Sequence, residues 1–145
     1  MREIGLICLF GFTSFDDIKT KQVRVLELIV FGLLGIIINF ISPSITLKSI
    51  AGGVGIGLVL FLISHITKEK IGKGDAIIIA ITGLYLGWIN TLVLLWISSI
   101  FALIAGVIII KKYGLRTDHE IPFIPFLTLG YLSMYLIRFI GSVFL

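Results

Sequence analysis

The sequence has little charge and almost no cysteine. Charged residues make up 14% of its 145 positions, whereas hydrophobic residues make up 58%. A soluble domain of this length cannot bury so much apolar surface, so the composition excludes a soluble globular protein and indicates an integral membrane protein. The single cysteine, Cys8, excludes an intramolecular disulfide and a multi-cysteine metal site. We interpret residues 1–145 as one integral-membrane domain.

Apolar runs separated by short polar connections occupy most of the chain. They cover residues 4–15, 25–41, 50–66, 76–89, 91–110 and 121–145. Because a helix needs about 20 residues to cross a bilayer, we predict an all-α, polytopic bundle of about six transmembrane helices, with a tight turn near residues 88–91. Small residues on the third and fourth helices predict close helix packing. They are Gly52, Gly53, Gly55, Gly57, Gly83 and Gly87.

Lysine and arginine are concentrated in alternate connections. Nine of the twelve follow the first, third and fifth predicted helices: Lys19, Lys21, Arg24, Lys68, Lys70, Lys73, Lys111, Lys112 and Arg116. The other three are Arg2, Lys48 and Arg138. By the positive-inside rule, those three connections are cytoplasmic and both termini are outside. The formal charge of +4 therefore indicates topology and does not predict nucleic-acid binding.

Two carboxylates stand where apolar runs meet this cytoplasmic side. Asp17, in the pair Asp16-Asp17, ends the first run, and Asp75 opens the fourth run after Gly72-Lys73-Gly74. Acidic groups at membrane depth are costly and are usually functional. If helix packing brings the two together, they have the arrangement of an aspartic protease. There, one carboxylate takes a proton from water while the other polarises the peptide carbonyl and protonates the leaving amine.

The same residues also allow structural interpretations. Asp75 could cap the N-terminus of the fourth helix, and Asp16-Asp17 could be solvated residues that neutralise nearby lysines. The run Asp118-His119-Glu120 suggests a metal or acid–base site, for which a solvated loop is the alternative. Two other functions stay open: a small proton-coupled transporter or channel subunit, in which Asp75 binds the coupling proton, and a non-catalytic assembly protein.

Three motifs in chain order carry a resemblance to a known family. They are Asp17-Ile18-Lys19-Thr20-Lys21-Gln22-Val23, Gly72-Lys73-Gly74-Asp75 and, at the start of the last predicted helix, Ile121-Pro122-Phe123-Ile124-Pro125-Phe126-Leu127-Thr128-Leu129-Gly130. Together they resemble the motifs of the type IV prepilin and preflagellin (archaellin) peptidases, which are Gly-x-Gly-Asp intramembrane aspartyl proteases. The first motif of that family often continues into a proline turn. This chain instead has Val23-Arg24-Val25, so we expect its second helix to begin differently.

The resemblance implies a membrane aspartic endopeptidase of the cytoplasmic membrane. Such an enzyme cleaves the short basic leader of prepilin-like or preflagellin-like precursors at the cytoplasmic face. Asp17 and Asp75 are implied as the catalytic pair, with Asp17 preferred to Asp16 because the Asp-Ile-Lys spacing fits. Gly72 and Gly74 are implied to let the backbone pass close to an extended substrate.

The implied reaction uses a water and two carboxylates, so we expect no metal and no cofactor. The implied partners are the precursor protein and the lipid bilayer, without nucleic acid. Larger bacterial members carry a cytoplasmic insertion with paired cysteines and also methylate the new N-terminal amine. This chain has neither the insertion nor the paired cysteines, so the resemblance implies the minimal, peptidase-only form.

Overall fold

The structure, a computed structural model, describes residues 2–20, 23–67, 72–113 and 122–144. These residues form five helices and no β-strand, which confirms the predicted all-α class. The helices are α1 (Arg2–Thr20), α2 (Val25–Ile41), α3 (Leu47–Ile66), α4 (Lys73–Tyr113) and α5 (Ile124–Phe144).

The longest helix, α4, is interrupted at Gly87. It has 41 residues, and Gly87 has a φ of 73° and a ψ of 178°. A straight helix of that length would measure about 60 Å, roughly twice the apolar thickness of a bilayer. A positive φ is a conformation that glycine adopts readily and that other residues avoid. The glycine therefore divides α4 into residues 73–86 and 88–113, just before the turn predicted at residues 88–91.

Contacts between helices define two ends of the bundle. At the first, which we call the aspartate end, Asp17 of α1 lies near Asp75 of α4. At the second, which we call the Gly87 end, Arg2 donates a hydrogen bond of 2.8 Å to the Asn39 side chain. Asn39 in turn donates to the carbonyl of Leu84 at 2.7 Å. The interruption of α4 leaves that carbonyl near a helix terminus, where a side-chain donor stabilises it.

Beyond Gly87, the chain returns toward the aspartate end beside α5. Arg138 donates to the Asn90 side chain at 2.8 Å near the Gly87 end. Farther along, Gly130 packs directly against Ser98. Residues 90 to 98 of α4 therefore run opposite to residues 130 to 138 of α5, which itself starts at the aspartate end. The two parts of α4 form a helical hairpin.

This arrangement separates the basic residues as the sequence predicts. Lys19, Arg24 and Lys73 lie at the aspartate end, and the returning part of α4 carries Lys111 and Lys112 toward it. Arg2 and Arg138 lie at the Gly87 end through the hydrogen bonds described above, and Lys48 begins α3 there. The other four basic residues of the predicted cytoplasmic connections, Lys21, Lys68, Lys70 and Arg116, lie outside the described residues.

The predicted count of about six membrane spans is wrong when the described helices are judged by their length and hydropathy. Three of the described helices are long and apolar enough to cross a membrane: Leu47–Ile66, Lys73–Lys112 and Ile124–Ser142. The apolar helix α2 has only 17 residues, and α1 carries charged residues at both ends. The predicted fourth and fifth helices are the two parts of α4. Membrane helices are still supported, in agreement with a multi-pass protein.

The predicted close packing of α3 and the first part of α4 is confirmed. A Cβ added to Gly53 would lie 2.8 Å from the Cα atom of Gly83, and Gly57 packs equally closely against Ala80. The two backbones are therefore in direct contact, as small residues permit between membrane helices. Gly55, by contrast, has open space around its Cα, so it is not part of this contact.

Candidate active site

Asp17 is held by the first turn of α5. Its carboxylate is 6% exposed, and its Oδ2 atom accepts a hydrogen bond of 3.2 Å from the backbone N–H of Ile124. Helix α1 continues past both aspartates to Thr20, so Asp17 lies in its last turn. The hydropathy falls at the two aspartates, yet both residues are buried within the helix bundle.

The amino acids that open α5 explain why the N–H of Ile124 is available. Pro125 has no N–H to donate, and the N–H groups of Phe126 and Leu127 both donate to the carbonyl of Phe123, at 3.0 and 3.2 Å. The N–H of Ile124 is one of the helix-terminal donors that need an acceptor outside the helix. Asp17 supplies that acceptor, and the bond orients its carboxylate. The sequence predicts that this segment opens the last helix, but it does not predict the bond to Asp17.

Asp75 lies in the first turn of α4 and folds back over Gly72. A Cβ added to Gly72 would come within 3.0 Å of the Asp75 Oδ2 atom, and the carbonyl of Gly72 accepts the N–H of Ala76 at 3.2 Å. Asp75 is half-buried. It also lies close enough to Asp17 for the two charges to act on each other. The structure thus brings together the two predicted carboxylates, 58 positions apart.

Asp16 points to a different set of partners. Its Oδ2 atom forms an ion pair of 2.9 Å with the Nε atom of Arg24, and its carboxyl group shares a hydrogen bond with Glu27 of α2. Successive residues of a helix are about 100° apart around its axis. Asp16 and Asp17 are about equally buried, but they point in different directions, and Asp17 is the one that accepts the N–H of Ile124 at the N-terminus of α5.

Gly74 faces a residue of the α1–α2 connection. A Cβ added to Gly74 would lie 3.3 Å from the Cγ2 atom and 3.6 Å from the Cβ atom of Val23. The space beside each motif glycine is therefore already in use, by the Asp75 carboxylate at Gly72 and by Val23 at Gly74. Their predicted role toward an extended substrate stays a prediction.

Two other features of the chain lie apart from this pair of aspartates. An apolar groove of about 550 Å³ lies near the Gly87 end and contains no ionisable group. Its lining residues are Trp88, Ile89, Leu92, Val93, Trp96 and Ile97. Within the described residues no group of three or more His, Cys, Asp or Glu side chains could hold a metal ion. The run Asp118-His119-Glu120, considered above as a metal or acid–base site, lies outside them.

The fold and the site together define a class: an all-α membrane protein in which two aspartates, distant in sequence, lie at one end of the helix bundle within electrostatic reach of each other. Comparison with protein families identifies that class more narrowly. Residues 4–107 match the model of the type IV leader peptidase family. This matched range includes Asp17, Asp75 and all of the Gly-x-Gly-Asp motif. The chain belongs to this family.

A curated relative supports the same assignment. The chain is 36% identical over 136 residues to a protein of Legionella pneumophila named prepilin leader peptidase/N-methyltransferase. The alignment covers 91% of this chain but 47% of that relative, so the chain spans about half the length of the protein it matches. No solved structure matches the chain.

Proposed function

We propose that this protein is a membrane aspartic endopeptidase that removes the short basic leader from type IV prepilin-like or preflagellin-like precursors. Cleavage takes place at the cytoplasmic face of the cytoplasmic membrane, where the aspartate end of the bundle lies by the positive-inside rule. The membership of the type IV leader peptidase family supports the substrate class.

One observation carries the proposal. Asp17 and Asp75 come from different helices, yet they lie at the same end of the bundle and close enough to interact electrostatically. Each also has a specific support, because Ile124 donates to Asp17 and Gly72 leaves room for the carboxylate of Asp75. A solvated surface carboxylate or a simple helix cap would need neither arrangement.

The proposed reaction is the hydrolysis of one peptide bond by two carboxylates and a water. One carboxylate removes a proton from the water while the water oxygen attacks the carbonyl carbon. The other, in its protonated form, donates a hydrogen bond to the carbonyl oxygen. The carbon–nitrogen bond then breaks, and the leaving nitrogen receives a proton from the pair. Because Asp75 is half-buried and not fully enclosed, we expect substrate and water to approach the pair from its side.

Leader cleavage in cells tests this proposal. The protein is co-expressed with a panel of prepilin-like and preflagellin-like precursors, and the loss of the leader is followed as a size shift on a gel. We expect at least one precursor to be shortened by the wild type and none by the Asp17→Asn/Asp75→Asn variant. A folded wild-type protein that shortens no precursor would contradict the proposal, and proton-flux measurements would then test the transporter alternative.

Gly72 offers a sharper prediction about Asp75. The Gly72→Ala variant is expected to fold normally but to cleave about 10- to 100-fold more slowly, because the new methyl group displaces the adjacent carboxylate and small displacements of a catalytic group are costly. The turnover number of the purified protein with a precursor cleaved in the panel provides the measurement. Gly55→Ala is the matched control, since nothing lies within 4 Å of that position. Equal turnover in the two variants would contradict the prediction.

A further inference from the structure

Two residues of the connection between α1 and α2, Val23 and Arg24, make contacts with other elements. Val23 of this connection contacts Gly74, while the next residue, Arg24, pairs with Asp16 at 2.9 Å. Arg24 also begins α2, because its carbonyl accepts the N–H groups of Glu27 and Leu28 at 3.0 and 3.3 Å. These two consecutive residues thus contact α1, α2 and the start of α4.

This attachment joins the two halves of the site. Asp17 is held by the N-terminus of α5, on the α1 side. Asp75, on the α4 side, lies one residue beyond Gly74, so any shift of Gly74 moves the backbone of Asp75 with it. Val23 is therefore a direct mechanical link between the helix that carries one aspartate and the turn that positions the other.

We infer that Val23 is a positioning residue for the reaction, and that Gly74 lacks a side chain in order to accept Val23 rather than the substrate. This inference rests on the proposed function and deepens it. The Val23 side chain sets the position of Asp75 relative to Asp17 and touches neither the substrate nor the water. The glycine nearest to Asp75 in the motif then serves an intramolecular contact that spans 51 positions of the chain.

A disulfide tests the contact without reference to activity. The distance of 3.6 Å between the Val23 Cβ and a Cβ placed on Gly74 is within the range that disulfides require. In a Cys8→Ser background, we expect the Val23→Cys/Gly74→Cys variant to cross-link on mild oxidation in the membrane, with a gel shift that a reductant reverses. Val23→Cys/Gly55→Cys is the control and should not cross-link. An equal lack of cross-linking in the two variants would overturn the inference.

Enlarging the side chain at position 74 and then reducing the one at position 23 tests the positioning role. Gly74→Val should lower kcat about 100-fold, because it forces the turn away from Val23 by roughly 1 Å, with KM nearly unchanged. Adding Val23→Ala removes two methyl groups from the opposite side and should restore kcat at least 5-fold above Gly74→Val alone. Gly11→Val is the control for a valine at an open glycine, and thermal unfolding in detergent verifies that each variant is folded.

The alternative role for Gly74 predicts a different pattern. If the glycine instead accommodates the substrate, Gly74→Val raises KM and Val23→Ala gives no rescue, which would overturn the inference. That outcome leaves the proposed function intact as long as the wild type cleaves and the variant without Asp17 and Asp75 does not. Conversely, cleavage by that variant refutes the proposed function, while the cross-link still reports on the contact.

Discussion

Replacement of either aspartate by asparagine is expected to reduce leader cleavage by about 10³-fold or more while leaving the protein folded. Asparagine keeps the shape of the side chain but can neither accept the proton of the attacking water nor donate one to the leaving amine. General acid and base groups each contribute about 10²- to 10⁴-fold. Because the two carboxylates act as a unit, the effects of the single variants should not multiply. Asp17→Asn/Asp75→Asn should be about as inactive as either single variant.

Asp16 provides a control within the same helix turn. Asp16 and Asp17 are 7% and 6% exposed, so burial does not distinguish them, but Asp16 pairs with Arg24 and Asp17 with Ile124. We expect the kcat of Asp16→Asn to stay within about 10-fold of the wild-type value. Loss of an ion pair away from the reacting atoms lowers the rate far less than loss of a general acid or base. The measurement is kcat and KM for a precursor cleaved in the panel. Full activity of Asp75→Asn, or equal inactivity of Asp16→Asn and Asp17→Asn, would contradict the assignment.

Local chemistry in the sequence was sufficient to predict the pair of aspartates at one end of the bundle. The alternation of basic connections assigned Asp17 and Asp75 to one side of the membrane, and the structure places them at one end through contacts that do not depend on that rule. Charge and hydropathy are properties of short segments, so each can be evaluated before any helix packs. The preference for Asp17 over Asp16 came from motif spacing. The structure adds a reason, because the two side chains leave α1 in different directions.

The details of the helices depend on tertiary contacts and were less predictable. The first apolar run ends at residue 15, whereas the helix continues to Thr20, and the partners that Asp16 and Asp17 have there lie on other elements. The turn expected at residues 88–91 occurs at Gly87. Its positive φ cannot be recognised in the sequence, because the apolar runs contain several other glycines. The same holds for Gly55 and Gly83. Both are glycines of the predicted packing faces, but of the two, Gly83 contacts the partner helix and Gly55 does not.

The two links that position the aspartates could not be predicted from local patterns at all. Prolines at 122 and 125 indicate that a helix begins there, but they do not reveal that Asp17 accepts the N–H of Ile124. The contact between Val23 and Gly74 joins residues that no helical or strand period relates. Both links arise only when α1, α4 and α5 meet, and both bear on catalysis more than on the fold.

The second large effect is expected in folding, at the contact between α3 and α4. Gly83→Val should lower the free energy of unfolding by about 3 kcal/mol or more, at the upper end of the usual cost of overpacking. A Cβ at this position would meet the backbone of Gly53 and Val54, and a backbone cannot move aside by changing rotamer. Close backbone contact is also the main attraction between membrane helices, so separating the helices removes it. Thermal or denaturant unfolding in detergent, monitored by circular dichroism, measures the change.

Gly55→Val isolates the packing effect from the general cost of valine in a helix. It places the same side chain on α3, where nothing lies within 4 Å, so we expect its unfolding to resemble that of the wild type within about 1 kcal/mol. Similar stabilities for Gly83→Val and Gly55→Val would show that the helices are not in backbone contact.

The expected pattern also separates two kinds of inactive protein. Gly83→Val loses cleavage because the support of Asp75 is lost together with the fold, whereas Asp75→Asn loses cleavage in a protein whose unfolding is unchanged. Both results are needed to attribute the chemistry to the carboxylate and its position to the packing of α3 against α4.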